Sequence, residues 1–317
     1  GPGGLPTGRA SADPTPDRRA PLRIGSAPVR FGIVILQELR WAQARHRWVR
    51  AEELGFDHAW TYDHLGWRDL VDGPWFDAVP TLTAAATVTS RIRLGTLVAS
   101  ANFRHPVAFA RSVTALDDIS DGRLLLGLGA GGLGFDATVL GGEPLPPKER
   151  VARFREFVEL LDAVLVRDST TWKGEYFEAV DARSTPGSVQ LPRVPFVVAA
   201  NAPRSIALAA EFGQGWITTG APTEDLEEWW AAVAERADRF GEALAAIGRQ
   251  EDSVARYLLL DAAPVFSLSS IAFFTEAVER AAALGFTDVI THWPRPEGWY
   301  EGDEAILDEV PAVMARF

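Results

Sequence analysis

Side chains able to move protons are scarce in this chain. It has 5 histidines and no cysteine. His64 follows the apolar run Ala59–Tyr62 and sits between Asp63 and Trp67. An imidazole with an unperturbed pKa of about 6.5 gives or takes a proton near neutrality, so His64 is the first candidate for general acid–base work. His292 also ends an apolar run, just before Trp293, and Glu38 follows the first such run. Both are secondary candidates. The other histidines read as structural. His105 precedes Pro106 at a helix start, His46 lies between Arg45 and Arg47, and His58 opens a strand. No two histidines have metal-ligand spacing, and no thiolate is available, so no metal site is expected.

Two short turns could hold a ligand through backbone N–H groups. Gly127-Leu-Gly-Ala-Gly-Gly132 fits G-x-G-x-x-G literally, but it follows a fourth strand and no helix opens at once. It reads as a nest for a phosphate or a ring edge, or as a plain tight turn. Ala199-Ala-Asn-Ala-Pro203 is a second turn into a helix N-terminus. Together they favour a phosphorylated cofactor. P-loop and nucleophile-elbow motifs are absent.

Periodicity gives the elements that must position these groups. Strands are expected at Arg30–Leu36, Asp57–Tyr62, Ile92–Ala99, Arg123–Gly129, Pro195–Ala200, Gly215–Thr219, Val254–Pro264 and Phe286–Thr291. Helices are expected at Trp41–Leu54, Trp75–Ser90, Pro106–Ile119, Pro147–Val166, Pro203–Phe212, Thr223–Ile247, Leu268–Leu284 and Glu304–Arg316. Near-continuous apolar strands are those of a parallel sheet buried on both faces. The alternation predicts a (β/α)8 TIM barrel over residues 29–317, ahead of a doubly wound open sheet, which uses fewer strands. Residues 167–193 break the rhythm and read as a hairpin excursion between helix four and strand five. Residues 1–28, rich in Pro, Gly, Ala and Arg, read as a disordered lead. Binding groups in a barrel gather at the C-terminal strand ends. There the chain carries mostly aromatic and small residues, with Trp67, Phe103 and Trp293 as candidate substrate walls.

Composition narrows the function classes. A formal net charge of −12 over 317 residues argues against nucleic acid as partner. No apolar run is long enough to span a membrane, and no secretory signal is evident, so a cytoplasmic protein acting on a small molecule is expected.

Several segments in combination resemble the luciferase-like family of flavin- and deazaflavin-dependent oxidoreductases. They are Ala51–Asp57, Asp63-His64, Thr89–Thr96, Arg104-His-Pro106, Leu116–Gly129, Pro195–Asn201 and Glu211–Trp216. The resemblance runs from about Val29 to Ala221 and more loosely beyond. It implies a (β/α)8 barrel, a homodimer, and FMN or coenzyme F420 at the strand ends. It also implies that Asp63 and His64 lie beside the cofactor ring, with a cis peptide at Leu97-Val98 supporting it. Ala130 and Gly131, with Ala199, Ala200 and Asn201, would hold the cofactor tail and phosphate. Sugar-phosphate dehydrogenases of the family carry a Glu where this chain has Gly132, and luciferase-type FMN enzymes carry an Arg where it has Ala108. These departures favour an F420-dependent oxidoreductase passing a hydride between the deazaflavin C5 and a small organic substrate. Reduction of a C=C or C=N bond is the expected direction, with His64 as proton donor. The rivals are an FMN-dependent monooxygenase using O2 and a cofactor-binding protein without turnover.

Overall fold

A strand with apolar residues on both faces must be covered on both sides, and a closed barrel wrapped in helices does that. The structure, a computed structural model, describes residues 28–317. Its strands are β1 (Arg30–Val34), β2 (His58–Thr61), β3 (Arg93–Thr96), β4 (Leu124–Leu128), β5 (Ser169–Lys173), β6 (Glu178–Arg183), β7 (Phe196–Ala199), β8 (Gly215–Thr218), β9 (Ala255–Leu259) and β10 (Asp288–His292). Eight of them close a parallel barrel in the order β1-β10-β9-β8-β7-β4-β3-β2. The expected excursion is the antiparallel hairpin β5–β6. The helices are α1 (Trp41–Glu53), α2 (Ala78–Val88), α3 (Pro106–Ile119), α4 (Phe135–Thr138), α5 (Pro147–Val166), α6 (Pro203–Phe212), α7 (Leu226–Ala246), α8 (Ile271–Ala283) and α9 (Val310–Met314). Except for Pro28, the segment expected to be disordered lies outside the described residues.

Side chains alternate across each strand with a period of two. Val34, Trp60, Leu97, Leu125, Val197, Ile217, Tyr257 and Ile290 fill the barrel interior. Their neighbours Ile33, Ala59, Leu94, Leu126, Val198, Trp216, Leu258 and Val289 pack under the helices. Trp216 stacks on Phe240 of α7 with ring centroids 4.6 Å apart. The Trp60 indole fits inside because Gly95 faces it, where a Cβ would lie 2.3 Å from the ring. At the N-terminal mouth, Asp288 joins three strands. It accepts from Arg30 Nη2 (2.6 Å) and from His58 Nε2 (2.9 Å), and Trp60 Nε1 donates to His58 Nδ1 (2.7 Å). His58 is therefore structural. His105 accepts from the Val107 N–H and caps α3, while His46 is exposed.

Two elements depart from expectation. The strand expected over Val254–Pro264 stops at Leu259 and turns into a 3₁₀ segment, Leu260–Ala262. The Asp261 carboxylate is drawn inward there, accepting from the Ser267 N–H at 2.8 Å. The helix expected over Glu304–Arg316 divides into a 3₁₀ turn, Glu304–Glu309, and α9. Pro311 falls in the first turn of α9, where its missing N–H is harmless; within one continuous helix it would remove a bond.

Candidate active site

The interior residues nearest the C-terminal mouth enclose a cavity of about 410 Å³. Tyr62 and His64 line it beyond β2, Leu97 and Val98 beyond β3, Ala199 from β7, and Ile217 with Thr219 from β8. Leu259 and Asp261 close it from β9, and Trp67, Arg68, Trp299 and Tyr300 from the loops. The Leu97–Val98 peptide is cis. The Arg68 guanidinium lies between two indoles, 4.7 Å from the Trp67 ring and 4.2 Å from the Trp299 ring. The cavity is thus mainly apolar and aromatic, with a few convergent polar groups, as a small-molecule site should be.

His64 is held in one tautomer. Its Nδ1 lies 2.6 Å from Asp136 Oδ2, and a carboxylate only accepts, so Nδ1 carries the proton. Asp136 is itself buried and accepts from the Leu65 N–H at 2.8 Å. His64 Nε2 has no hydrogen-bond partner among the described residues. Neutral His64 therefore offers Nε2 as a proton acceptor, and charged His64 can return the proton.

A second network runs along the other side of Tyr62. His292 Nδ1 lies 2.8 Å from Asp261 Oδ2, and His292 Nε2 lies 2.6 Å from the Tyr62 hydroxyl. The Tyr62 and Tyr300 hydroxyls are 2.8 Å apart. The His292 and Tyr300 rings stack at 3.6 Å. Burial lowers the His292 imidazole below its ordinary value against the pull of Asp261. Burial also holds the Tyr62 phenol well above its ordinary value and pushes Tyr300 up to about 12. All three groups are therefore neutral at pH 7.

Strand parity sorts the sequence candidates. His64, Leu97, Val98, Ala199 and Trp67 line the cavity. His292 is 1% exposed and stands behind Tyr62 rather than at the surface of the cavity. Four expectations need correction. Asp63 faces away, where the Arg104 guanidinium grips it through Nη2 (2.7 Å) and Nε (3.1 Å). Phe103 lies against that same guanidinium, outside the cavity lining. Trp293 has the outward parity and packs under Arg47 of α1. Glu38 is engaged by Arg295 Nε at 3.0 Å and is no free acid.

Ala130, Gly131, Ala200 and Asn201 also lie outside this cavity lining. Asn201 braces β8, accepting from the Thr218 hydroxyl at 2.6 Å, and the Ala200 carbonyl accepts from Trp216 Nε1. The turn at Gly131 meets two arginines of α5. Arg153 Nη2 donates to Asn102 Oδ1 at 2.9 Å, and Arg150 Nη1 to the Gly131 carbonyl at 3.4 Å. Both have a buried Nε without a partner, and neither forms an ion pair among the described residues. Sequence reasoning missed Tyr62, Asp136, Asp261, Tyr300 and this arginine pair. No group of three or more His, Asp or Glu placed to hold a metal occurs among the described residues. No helix there is long and apolar enough to cross a membrane.

Comparison with known proteins bears on the fold and the family. The chain is 35% identical over 195 residues to an F420-dependent glucose-6-phosphate dehydrogenase of Amycolatopsis mediterranei (strain U-32), covering 60% of this chain and 57% of that protein. It thus spans less than two thirds of the length of such curated relatives. Among solved structures, an F420-dependent secondary alcohol dehydrogenase with an F420–acetone adduct superposes with a TM-score of 0.76 at 18% identity, covering 90% of this chain and 98% of that one. The F420-dependent tetrahydromethanopterin reductase of Methanopyrus kandleri gives 0.69 at 20% identity, with the same coverage of 90% and 98%. At these identities the two structures speak to the fold. The family model for luciferase-like monooxygenases matches residues 26–258, well over half of the sequence, and the chain belongs to that family.

Proposed function

We propose that this protein is an F420-dependent oxidoreductase acting on a small organic substrate, and that it reduces a C=C or C=N bond. The observation that carries the reading is the cavity at the strand ends, into which Asp136 presents His64 in a single tautomer. The 35% identical relative named as F420-dependent supports the choice of cofactor. The residues fit such a group. Leu97, Val98 and Ala199 offer an apolar shelf for a flat ring. Arg150 and Arg153, with unpartnered buried Nε atoms beside the Gly131 turn, suit a phosphate. A deazaflavin held there would supply the hydride chemistry, at C5.

The chain's own residues do the rest. Trp67, Trp299 and Tyr300 wall off water on the substrate side, and His64 Nε2 delivers the proton or takes it back. With Gly132 in place of an acid, the site has no carboxylate at that turn to drive sugar oxidation. The same reading makes the protein a cytoplasmic homodimer, a state that light scattering on the purified chain decides.

The test is titration of the purified protein with F420 and, separately, with FMN, followed by fluorescence. Tight F420 binding with weak FMN binding is expected. The reverse result overturns the reading in favour of an FMN monooxygenase and makes oxygen uptake the next assay.

A further inference from the structure

We propose that Tyr300, Tyr62 and His292, anchored by Asp261, form a proton relay that serves the cavity as a second port beside His64. The proposal rests on the oxidoreductase reading above, whose substrate exchanges a proton as well as a hydride. Asp261 can only accept, so in neutral His292 the proton sits on Nδ1 and points at Asp261 Oδ2, 2.8 Å away. Nε2 must then accept, and its donor is the Tyr62 hydroxyl at 2.6 Å. With its proton spent there, the Tyr62 oxygen accepts from the Tyr300 hydroxyl at 2.8 Å. Tyr300 lines the cavity, and its own proton is turned inward. Toward the cavity its oxygen offers lone pairs only.

This neutral network is a proton acceptor. A substrate hydroxyl or amine beside Tyr300 gives its proton to the Tyr300 oxygen. Tyr300 passes its own proton to Tyr62, and Tyr62 passes its own to His292 Nε2. Three bonds to hydrogen break, on the substrate, Tyr300 and Tyr62, and three form, on Tyr300, Tyr62 and His292 Nε2; the outcome is a deprotonated substrate and an imidazolium beside the Asp261 carboxylate. The reverse transfer delivers a proton to the substrate and restores neutral His292. Tyr300 is the terminus that meets substrate; Tyr62 and His292 conduct, and Asp261 positions.

The surroundings are built to hold this line. Asp261 is fixed by the Ser267 N–H at 2.8 Å and flanked by the Thr291 hydroxyl at 3.4 Å. The His292 ring is clamped between the Tyr300 ring at 3.6 Å and the edge of Tyr62 at 5.7 Å. The other charged or titratable groups facing the relay are Arg68 and Arg295, whose positive charges favour tyrosinate, and His64, whose ring meets Tyr62 at 5.8 Å. The relay and the His64–Asp136 pair therefore flank one tyrosine and serve one cavity.

The test reads His292 directly and needs neither cofactor nor substrate. In full-length protein with ¹⁵N-labelled histidine, the His292 resonances are assigned with His292→Gln and followed from pH 8 down to pH 4. Tyr300→Phe is the informative variant. It keeps the stacked ring and removes only a hydroxyl that does not touch the imidazole nitrogens. The wild-type His292 is expected to charge within this range. When His292 charges, its Nε2 becomes a donor and the Tyr62 hydroxyl must turn its proton toward the Tyr300 oxygen. In Tyr300→Phe that buried O–H is left without an acceptor, whereas the neutral form loses only a contact to a Tyr62 lone pair, so the midpoint should fall, by up to roughly 1 pH unit, the worth of one hydrogen bond. A His292 that stays neutral to pH 4, or a midpoint unmoved by Tyr300→Phe, overturns the relay. Thermal melting shows that the variant is folded. F420 binding by the wild type is read separately, so failure of the relay and failure of the cofactor assignment are distinguishable.

Discussion

His64 is useful only while Asp136 keeps its proton on Nδ1. Removing the imidazole should cost turnover about 10²–10⁴-fold, the usual contribution of a general acid or base. Asp136→Asn leaves the ring but allows the other tautomer, so its loss should fall between wild type and His64→Ala. The check is F420 absorbance against a panel of enones, imines and ketones. Turnover unchanged in His64→Ala would remove His64 from the chemistry and leave the tyrosine network as the proton source. At this scale the sequence tells half the story. His64 stands out because it follows an apolar run. Its partner Asp136 is 72 positions away, in the short helix α4 after a glycine-rich turn, with no local signal. Asp63 adjoins His64 in sequence yet turns its back on the site, since neighbouring residues on a strand point to opposite faces. Counting by twos from Trp60 and Ile290 reaches Tyr62 and His292 and turns Asp63 and Trp293 outward. The sequence candidates included His292 but passed over Tyr62 and put Trp293 on the wrong face.

The strands carry a second lesson in the Arg30–Asp288–His58 junction, where β1, β10 and β2 meet at the mouth opposite the cavity. Burial alone would raise the Asp288 carboxyl, but the His58 hydrogen bond and the Arg30 charge hold it below the usual carboxylate range. Its folded pKa thus lies below its unfolded one. The stabilisation it gives is complete above the unfolded value of about 3.9 and is lost as pH falls through the folded value. Asp288→Ala strands a buried histidine and an arginine, and should cost about 3–5 kcal/mol in urea unfolding at pH 7. The variant should also be less sensitive to acid than the wild type between pH 4 and pH 2. Equal acid sensitivity would place the acid-labile group elsewhere. The strands themselves were legible because both of their faces are buried, which writes a continuous apolar run. Asp288 interrupts no run, since it opens β10, whereas Arg256 sits inside the run of β9. The turn at Asp261 was not legible, because what holds it is a contact with Ser267 in the following loop and with His292 on the next strand, neither of which leaves a periodic pattern.

Across the whole molecule a net charge of −12 repels anions, so a phosphate must find a local exception. We propose Arg150 and Arg153 for that role, since they lie beside the β4 turn and form no ion pair among the described residues. The same turn shows why Gly132 is more than a missing acid. Its φ is +98°, in the left-handed region, and a Cβ there would lie 2.0 Å from Arg150 Cδ. Gly132→Glu would therefore displace Arg150, one of the two cations we propose for the phosphate, before it supplied a carboxylate. The pair can be tested without knowing the substrate. Arg153→Ala removes one charge-assisted contact, so F420 affinity should fall roughly ten- to a hundredfold. Wild-type affinity should weaken as salt rises, because the attraction is screened, and the variant should respond less. Both are read from the fluorescence titration repeated at low and high NaCl, with a melting curve to confirm an intact barrel. Equal affinity and equal salt dependence in the two proteins would move the phosphate away from α5, and with it the assignment of this turn to the cofactor tail.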